Sequence, residues 1–313
     1  MGANNVQRVV IAGAGTMGYS MAQIFARYGY DVTVYDLAEA ALDNARLRIA
    51  QGTDNLVTDG EITRREGDAL LTRLEYTCDK TCFADCDLMV ESIVEKLEIK
   101  QSFYREVSEL ARPDAILASN TSGLSINALA KAVTSPERFI GMHWFNPSNI
   151  IPLIEIVRAD ATSDECAAAV RDVSSRIGKK PVVVARDVPG FVANRLQFAI
   201  LREALRLVEE GVVDEQGVDD VMRYGLGVRY ACLGPLAVAD FGGLDTFHHI
   251  ASYLNADLCN AAEPSRLLTE KYEAGAFGVK AGRGFYDYSD GRDVSATQER
   301  DEAYLAVVRA LGL

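Results

Sequence analysis

Hydrophobic residues in the first 184 positions fall into short runs that alternate with longer amphipathic stretches. Short apolar runs separated by segments of helical spacing are typical of βαβ units, which build a parallel sheet. The pattern therefore predicts an α/β fold for this part of the chain. The predicted strands cover residues 8–12, 31–36, 88–92, 115–119, 139–143, 153–157 and 181–184.

Two stretches depart from this alternation. Residues 38–73 form a polar insert with helical spacing, interrupted at Asp59-Gly60, and we expect two helices here that project from the sheet. After residues 187–190 (Asp-Val-Pro-Gly) no further strand-like run occurs. We therefore predict two domains, 1–185 and 186–313, the second of them helical.

The second domain opens with an apolar stripe at helical spacing, which ends at Gly211. The stripe consists of Leu196, Ile200, Leu201, Ala204, Leu205 and Val208. Such a stripe is typical either of a domain core or of a dimer interface, and the sequence leaves both open.

Charge and composition narrow the class of protein. The 313 residues carry 32 Lys and Arg against 45 Asp and Glu, a net charge of −13, which disfavours binding to nucleic acid or to an anionic membrane. We see neither a leader-like N-terminus nor an apolar run of membrane-spanning length. Six cysteines in a chain of this length favour free thiols in a cytoplasmic protein.

A glycine-rich turn follows the first predicted strand. Gly13-Ala14-Gly15-Thr16-Met17-Gly18 leads directly into a helical run, and Asp36 ends the next strand 18 positions after Gly18. In this setting G-x-G-x-x-G indicates a dinucleotide site in a Rossmann-like, doubly wound parallel sheet. A carboxylate at Asp36 would accept hydrogen bonds from ribose hydroxyls and repel a 2′-phosphate, so we predict NAD as the cofactor.

A histidine and a glutamate lie in consecutive apolar runs. His143 ends the run 139–143, and Glu155 lies within the run 153–157. A glutamate among aliphatic residues needs a hydrogen-bonding or cationic partner, and a hairpin-like return of the chain would supply His143. We interpret the pair as a general acid–base, against the simpler possibility of a structural histidine at a strand end.

Other catalytic chemistries lack support. Cys78, Cys82 and Cys86 have C-x3-C-x3-C spacing, which matches neither zinc nor iron–sulfur patterns, so we predict no metal. The sequence also has no G-x-S-x-G nucleophile elbow.

Several segments resemble the 3-hydroxyacyl-CoA dehydrogenase family. His143-Trp-Phe-Asn-Pro147 and Pro152-Leu-Ile-Glu155 resemble its H-F-F-N-P…L-V-E-V segment. Its other markers resemble residues 119–122, 187–195, 234–245 and 278–286, in the same order. The resemblance covers nearly the whole chain and implies an NAD-binding Rossmann-like domain followed by an all-helical domain that forms a homodimer, with the active site between them.

The resemblance also implies roles for individual residues. His143 would take the hydroxyl proton while hydride leaves the same carbon for the nicotinamide, and Glu155 would orient His143. Ser122 and Asn194 match residues that bind the reacting oxygen or hold the catalytic groups in place. The positions that match cofactor contacts are Glu95, Lys100, Ser122, Asn146 and Lys280.

The substrate is where the sequence departs from the family. Acyl-CoA members carry lysines in the helical insert, whereas here residues 37–78 contain none, and the segment 56–61 includes Asp59 and Glu61. The arginines that could compensate are Arg46, Arg48, Arg64 and Arg65.

Three hypotheses about function follow. The commonest activity of the family favours a short-chain 3-hydroxyacyl-CoA as substrate, in the setting of fatty acid metabolism. The loop after His143 also resembles relatives that act on free hydroxy acids or pyridine carboxylates, for which Arg158, Arg195 or Arg229 would bind the carboxylate. The third hypothesis is a non-catalytic, crystallin-like dinucleotide-binding protein.

Overall fold

The computed structural model describes residues 6–313 and divides the chain into two compact units, Met1–Asn194 and Arg195–Leu313. The division falls nine residues after the predicted boundary at 185. Among the described residues, no helix is both long and apolar enough to cross a membrane.

The first unit is built on an eight-stranded sheet, mostly parallel, as the alternation of apolar runs predicts. Its strands are Arg8–Ala12 (β1), Asp31–Tyr35 (β2), Leu74–Thr77 (β3), Leu88–Glu91 (β4), Ile116–Ser119 (β5), Phe139–Trp144 (β6), Leu153–Arg158 (β7) and Lys180–Val184 (β8). The spatial order is β3-β2-β1-β4-β5-β6-β7-β8, and only the β6–β7 pairing is antiparallel. The sequence analysis missed β3, a half-buried edge strand with few apolar residues.

Helices cover both faces of this sheet. They are Thr16–Arg27 (α1), Glu39–Thr58 (α2), Arg64–Leu71 (α3), Leu97–Leu110 (α4), Ile126–Ala130 (α5) and Asp164–Arg176 (α6). Successive strand residues point to opposite faces, so Val9 and Ile11 of β1 join the core under α1 and α6, whereas Val10 and Ala12 join the core under α4 and α5. Burial on both faces explains why the strands are near-continuous apolar runs.

The polar insert forms α2 and α3, separated at Asp59-Gly60 as predicted. One face of α2, including Leu42, Ala45 and Ile49, is buried, and Gln23 of α1 donates a hydrogen bond to Thr53 at 3.2 Å. The insert therefore packs on α1 along one face, whereas its opposite face is exposed along its length, so the two helices lie against the rest of the first unit rather than projecting from it.

The second unit is helical. Helix α7 (Ala193–Glu209) carries the predicted apolar stripe and is the first helix of this unit. The remaining helices are Glu215–Val221 (α8), Gly227–Cys232 (α9), Pro235–Gly242 (α10), Leu244–Leu254 (α11), Arg266–Glu273 (α12) and Arg292–Ala310 (α13).

A buried ion pair joins β4, β5 and α4. Lys100 is 1% exposed, and its ammonium lies 2.6 Å from Oε1 of the fully buried Glu91. Ile93 N–H donates to the same oxygen at 2.7 Å. Ser119 and Tyr104 donate to Oε2 of Glu91 at 2.8 and 3.1 Å. Every carboxylate oxygen is thus hydrogen-bonded, which a buried charge requires.

We expect Lys100→Met to lower the free energy of unfolding by about 3–5 kcal/mol, because it leaves the charge of Glu91 buried without a cation. Lys80→Met is the matched control, since Lys80 pairs with Glu106 at the surface and such a pair contributes at most about 1 kcal/mol. Urea unfolding of both variants measures the difference. Equal losses would show that the Glu91–Lys100 pair is not the tie between these elements.

Gly15 and Gly18, in the turn after β1, differ in the space that is available for a side chain. A Cβ on Gly18 would lie 1.8 Å from the carbonyl oxygen of Gly13, so the helix start and the turn touch only because residue 18 has no side chain. Gly15 has no atom within 4 Å of its Cβ position and an ordinary φ of −69°.

Gly18→Ala should therefore lower the free energy of unfolding by at least about 1–3 kcal/mol, the usual cost of overpacking. Gly15→Ala should cost no more than about 1 kcal/mol, the scale of a change at a helix N-cap. Thermal melting of the two variants compares them directly. A Gly18→Ala protein as stable as Gly15→Ala would contradict this packing.

Candidate active site

The candidate site lies at the carboxyl ends of the parallel strands. Strand order reverses between β1 and β4, and the turn after β1 meets the segment after β4 there: a Cβ on Gly13 would lie 2.5 Å from the Ser92 carbonyl oxygen. Gly13 also has a φ of +105°, a backbone conformation that residues with a side chain rarely adopt. In open α/β sheets such a reversal creates the crevice in which ligands bind.

The residues of this turn fit a dinucleotide. Gly15 and Thr16 are exposed, and the space over Gly15 is open. Helix α1 begins at Thr16 with no side chain capping its first N–H groups. Exposed N–H groups at a helix N-terminus favour a phosphate, so the backbone from Gly15 to Met17 could receive a pyrophosphate.

Asp36 lies beside this turn. One carboxylate oxygen accepts a hydrogen bond from Ala14 N–H at 2.8 Å, and the other accepts one from Ala38 N–H at 3.1 Å. The side chain is partly exposed at the end of β2, and Leu37 next to it is 80% exposed. The turn and the carboxylate that the sequence links to NAD thus meet in space.

His143 and Glu155 face each other across β6 and β7. The two residues are directly paired in the antiparallel register, and Nδ1 of His143 lies 2.9 Å from Oε2 of Glu155. Both side chains are at most 5% exposed. The hairpin-like return expected from the sequence is present, because β7 runs back along β6.

The second oxygen of Glu155 is also fully bonded. It accepts hydrogen bonds from the backbone N–H groups of Val192 and Ala193 at 3.0 and 2.9 Å. Burial raises the pKa of Glu155, but the hydrogen bonds from His143, Ala193 and Val192 outweigh it and hold the pKa below its usual value. The group is therefore a carboxylate at neutral pH, able to accept a hydrogen bond from Nδ1–H of His143.

Two aromatic rings surround the imidazole. Phe145, just after β6, lies 4.4 Å from the His143 ring, and Phe191 meets it edge-on at 5.6 Å. Phe191 has a left-handed φ of +50°, which is uncommon for a large side chain. This backbone turn brings the ring to His143 while the next two N–H groups bind Glu155.

Ser122 and Asn194 lie together. The Asn194 amide donates to the Ser122 carbonyl oxygen at 2.8 Å, and Ser122 is exposed. Glu95 accepts a hydrogen bond from Ser122 N–H at 3.0 Å and one from the Thr121 hydroxyl at 2.5 Å. Burial raises the pKa of Glu95, but its bonds to Thr121 and Lys100 hold it below the usual value.

The other predicted cofactor residues differ in position. Lys100 is buried and pairs with Glu95 at 2.9 Å as well as with Glu91. Of these two carboxylates only Glu95 is partly exposed, so Lys100 would act on a ligand through Glu95. Asn146 is exposed in the loop after His143. Lys280 belongs to the helical unit, where its ammonium lies over the Phe277 ring at 5.5 Å.

Sequence reasoning missed two residues that organise the site. Asn120 accepts a hydrogen bond from Trp144 N–H at 2.8 Å, which ties the segment after β5 to the end of β6. The fully buried Thr121 holds Glu95. Both lie just after a strand in the segment 119–122, which resembles a family marker, but the resemblance implied a role only for Ser122.

Arg158, one of the three candidate carboxylate-binding arginines, is engaged elsewhere. It pairs with Asp164 at 2.7 Å and donates to the Thr162 carbonyl oxygen. Its strand partner is Ile140, three positions before His143, because β7 is antiparallel. Arg158 therefore lies away from His143.

The three closely spaced cysteines form no metal centre among the described residues. Burial raises the pKa of Cys82 to about 11 and that of Cys86 to about 12, so both are protonated thiols. All six cysteines of the chain are unpaired.

Comparison with known families accounts for nearly the whole chain. Residues 8–188 match the NAD binding domain of 3-hydroxyacyl-CoA dehydrogenase, and residues 190–288 match its C-terminal domain. Helix α13 lies beyond the matched region.

Individual relatives carry two kinds of name. The chain is 38% identical to 5-formyl-3-hydroxy-2-methylpyridine 4-carboxylate 5-dehydrogenase of Mesorhizobium japonicum, over 98% of each chain. A solved structure of a dehydrogenase of that name, an NAD+ dependent dismutase, superposes with a TM-score of 0.91 at 38% identity, covering 98% of this chain and 99% of the other. The chain is 40% identical to a probable 3-hydroxybutyryl-CoA dehydrogenase of Deinococcus radiodurans, over 89% of this chain and 99% of the relative. The chain is therefore an NAD-binding oxidoreductase that belongs to the 3-hydroxyacyl-CoA dehydrogenase family.

Proposed function

We propose that this protein interconverts a hydroxyl and a carbonyl group with NAD, using His143 as the general acid–base. The observation that carries the proposal is the buried contact of 2.9 Å between His143 and Glu155 at the carboxyl edge of the sheet. The glycine-rich turn and Asp36 lie at the same edge, so catalytic group and cofactor site share one location.

In this proposal the Glu155 carboxylate accepts a hydrogen bond from Nδ1–H of His143, which leaves Nε2 unprotonated and free to take the hydroxyl proton of the substrate. When bound, NAD+ would supply the hydride acceptor, so that the carbon losing its hydroxyl proton to His143 would become a carbonyl carbon and the proton would remain on His143. The carboxylate of Glu155 stabilises the imidazolium that forms. The reverse reduction returns the proton from Nε2 to the oxygen.

The remaining residues would position the reactants. Gly13, Gly15, Thr16, Met17 and Gly18 would hold the pyrophosphate, and Asp36 the adenosine ribose. Ser122 and Asn194, already joined by a hydrogen bond, would hold the reacting oxygen. The further cofactor contacts would come from Glu95, Ser122, Asn146 and Lys280, with Lys100 acting through Glu95.

For the substrate we propose a small free carboxylic acid that carries the hydroxyl or carbonyl group, with a short-chain 3-hydroxyacyl-CoA as the second candidate. Two arginines that could replace the missing lysines of the insert are paired with carboxylates: Arg64 with Asp54 at 2.7 Å and Arg46 with Asp43 at 2.9 Å. Glu61 pairs with Arg27 of α1. Arg48 and Arg65 are exposed and form no ion pair among the described residues, so two of the four arginines remain available to the phosphates of CoA.

The relatives support both candidates. The pyridine carboxylate dehydrogenase matches 98% of this chain, whereas the probable 3-hydroxybutyryl-CoA dehydrogenase matches 89%. The acyl-CoA hypothesis is favoured by the family's name and by that second relative, and the free-acid hypothesis by the charges of the insert.

We also propose that the protein is a cytoplasmic homodimer. The helical unit exposes large apolar side chains, among them Leu236 at 82% and Phe241 at 83% exposed, and such surface favours burial against another chain. The free thiols fit a reducing compartment.

We expect His143→Gln to lower kcat by about 10²- to 10⁴-fold, the contribution of a general acid–base, with NADH affinity close to that of the wild type. His248→Gln is the matched control because His248 lies on α11 in the helical unit. Steady-state kinetics and NADH titration measure the two effects. Loss of NADH binding in His143→Gln would mean that the residue serves the cofactor site instead.

Glu155→Gln tests the partner and its pH dependence. Because hydrogen bonds hold the pKa of Glu155 below its usual value, the wild-type carboxylate persists into mildly acidic solution and is protonated only as the pH falls below that range. Glu155→Gln should therefore have a lower kcat than the wild type at neutral pH, where the wild-type carboxylate is charged, and its pH profile should be displaced from that of the wild type because the imidazolium has lost its partner. A kcat and a pH profile equal to those of the wild type would contradict the assignment.

The substrate class is decided by comparing NADH consumption with acetoacetyl-CoA, free 3-oxo acids and carboxylated aromatic aldehydes. We expect turnover of a free acid and little or none of the thioester. Efficient use of acetoacetyl-CoA alone would establish the second candidate, and turnover of none of these compounds would favour the non-catalytic hypothesis.

A further inference from the structure

A buried lysine without a carboxylate partner lies beneath the loop that follows His143. Lys179 is 8% exposed and immediately precedes β8. Its ammonium donates hydrogen bonds to two backbone carbonyls of that loop, at 2.5 Å to Ser148 and at 2.8 Å to Ile151. It also lies 5.4 Å from the centre of the Trp144 ring. All three contacts are with residues 144–151, which connect the two strands of the His143–Glu155 pair.

The loop is held at a second point on the same side. The Ser148 hydroxyl donates to the Ser20 hydroxyl of α1 at 2.7 Å, and both residues are buried. The Trp144 ring packs against Phe25 of α1 at 5.9 Å. Lys179 and α1 thus fix the loop from the core face.

The other side of this segment faces the site. His143 and Trp144 are successive residues of β6, so their side chains point to opposite faces of the sheet. Trp144 belongs to the core under α1, whereas His143 contacts Phe191 in the core of the other face. Phe145, the first residue of the loop, rests against the imidazole, and Asn146 beside it is exposed. A shift of the loop would therefore move the surroundings of His143.

We propose that Lys179 is a positioning residue of the reaction: its ammonium holds the loop of residues 145–152, and through Phe145 and Trp144 it holds His143 and Asn146 in place. The proposal rests on the assignment of His143 as the acid–base. It adds a residue on the opposite face of the sheet that acts only through the loop.

The cost of burying this charge supports a role beyond packing. Burial alone lowers the pKa of Lys179 to about 8, and no charged side chain of the described residues offsets the shift. A lysine whose pKa falls on folding makes the protein less stable below that pKa, and stability rises as the pH increases toward the usual lysine value. The charged form thus opposes folding at neutral pH, yet its three contacts all secure the loop.

Deprotonation should loosen the loop, because a neutral amine is a weaker donor and makes no cation–π contact. The titratable and charged groups nearby on the surrounding elements are Tyr28 and Tyr30 before β2, Arg176 at the end of α6, and Lys180. His143 and Glu155 lie on the opposite face of the sheet. The variants of Lys179 separate its titration from that of these groups.

Trp144 gives a direct readout, since it is the only tryptophan in the chain. We expect the tryptophan fluorescence of the wild type to change with a midpoint near pH 8, and that of Lys179→Met to show no such transition. Lys180→Met is the matched control because Lys180 is the exposed neighbour, and it should titrate like the wild type. A transition that persists in Lys179→Met would overturn the proposal.

Kinetics test the positioning role. At neutral pH, kcat/KM of Lys179→Met should fall by about ten- to a hundredfold, as for displacement of a catalytic group on the order of 1 Å. Because deprotonation of Lys179 loosens the loop, kcat/KM of the wild type should decline at alkaline pH. This alkaline decline should be absent from Lys179→Met. Lys179→Arg keeps the charge, so it should recover part of kcat/KM and show no fluorescence transition near pH 8. It also carries the test if Lys179→Met does not fold. Unchanged kcat/KM in both variants would contradict the role.

The two proposals fail in different ways. If Lys179 does not hold the loop, Lys179→Met leaves the Trp144 fluorescence transition unchanged, although the enzyme still turns over. If His143 is not the acid–base, the fluorescence transition depends on Lys179 but His143→Gln retains its kcat.

Discussion

The site depends on the register of one antiparallel strand pair. Residues directly opposite each other in such a pair point to the same face and bring their side chains within contact distance. His143 and Glu155 are such a pair, although every other strand pairing in the sheet is parallel. A slip of one residue would turn the Glu155 side chain to the opposite face and remove the partner of His143. The loop that Lys179 contacts and the N–H groups of Val192 and Ala193 hold this register, and the proposed chemistry of His143 depends on them.

Buried charges recur around this edge of the sheet, and each is compensated in a different way. Glu91 has a cation and three hydrogen-bond donors, Glu155 has an imidazole and two backbone N–H groups, and Lys179 has only carbonyl oxygens and an aromatic ring. The first arrangement ties strands to a helix, the second keeps a carboxylate charged beside an imidazole, and the third contacts a loop. Because buried charges often contribute no net stability relative to well-packed apolar residues, we interpret these groups by the geometry that they impose.

Much of the fold could be predicted from the sequence because both faces of the sheet are buried. Continuous apolar runs such as 88–92 and 153–157 mark the central strands, whereas β3 escaped prediction because an edge strand needs few apolar residues. The glycine turn with Asp36 and the pair of His143 and Glu155 were also predictable, since their chemistry is local to strand ends. The resemblance matches Lys100 to a cofactor contact, and only the tertiary structure shows that its ammonium is buried between Glu91 and Glu95. Lys179 had no sequence signal, and the position of Asn120 beside Ser122 did not reveal its role, because each contacts a segment distant along the chain.

The central claim is that the Glu155 carboxylate accepts a hydrogen bond from Nδ1–H of His143 and so leaves Nε2 free as the base. Nitrogen-15 NMR of the imidazole groups tests it most directly, since the chain has three histidines and variants of His248 and His249 complete the assignment. The account predicts that neutral His143 carries its proton on Nδ1, and that the Nδ1 signal shifts in Glu155→Gln. A neutral imidazole protonated on Nε2, or a Nδ1 signal unchanged by Glu155→Gln, would contradict it.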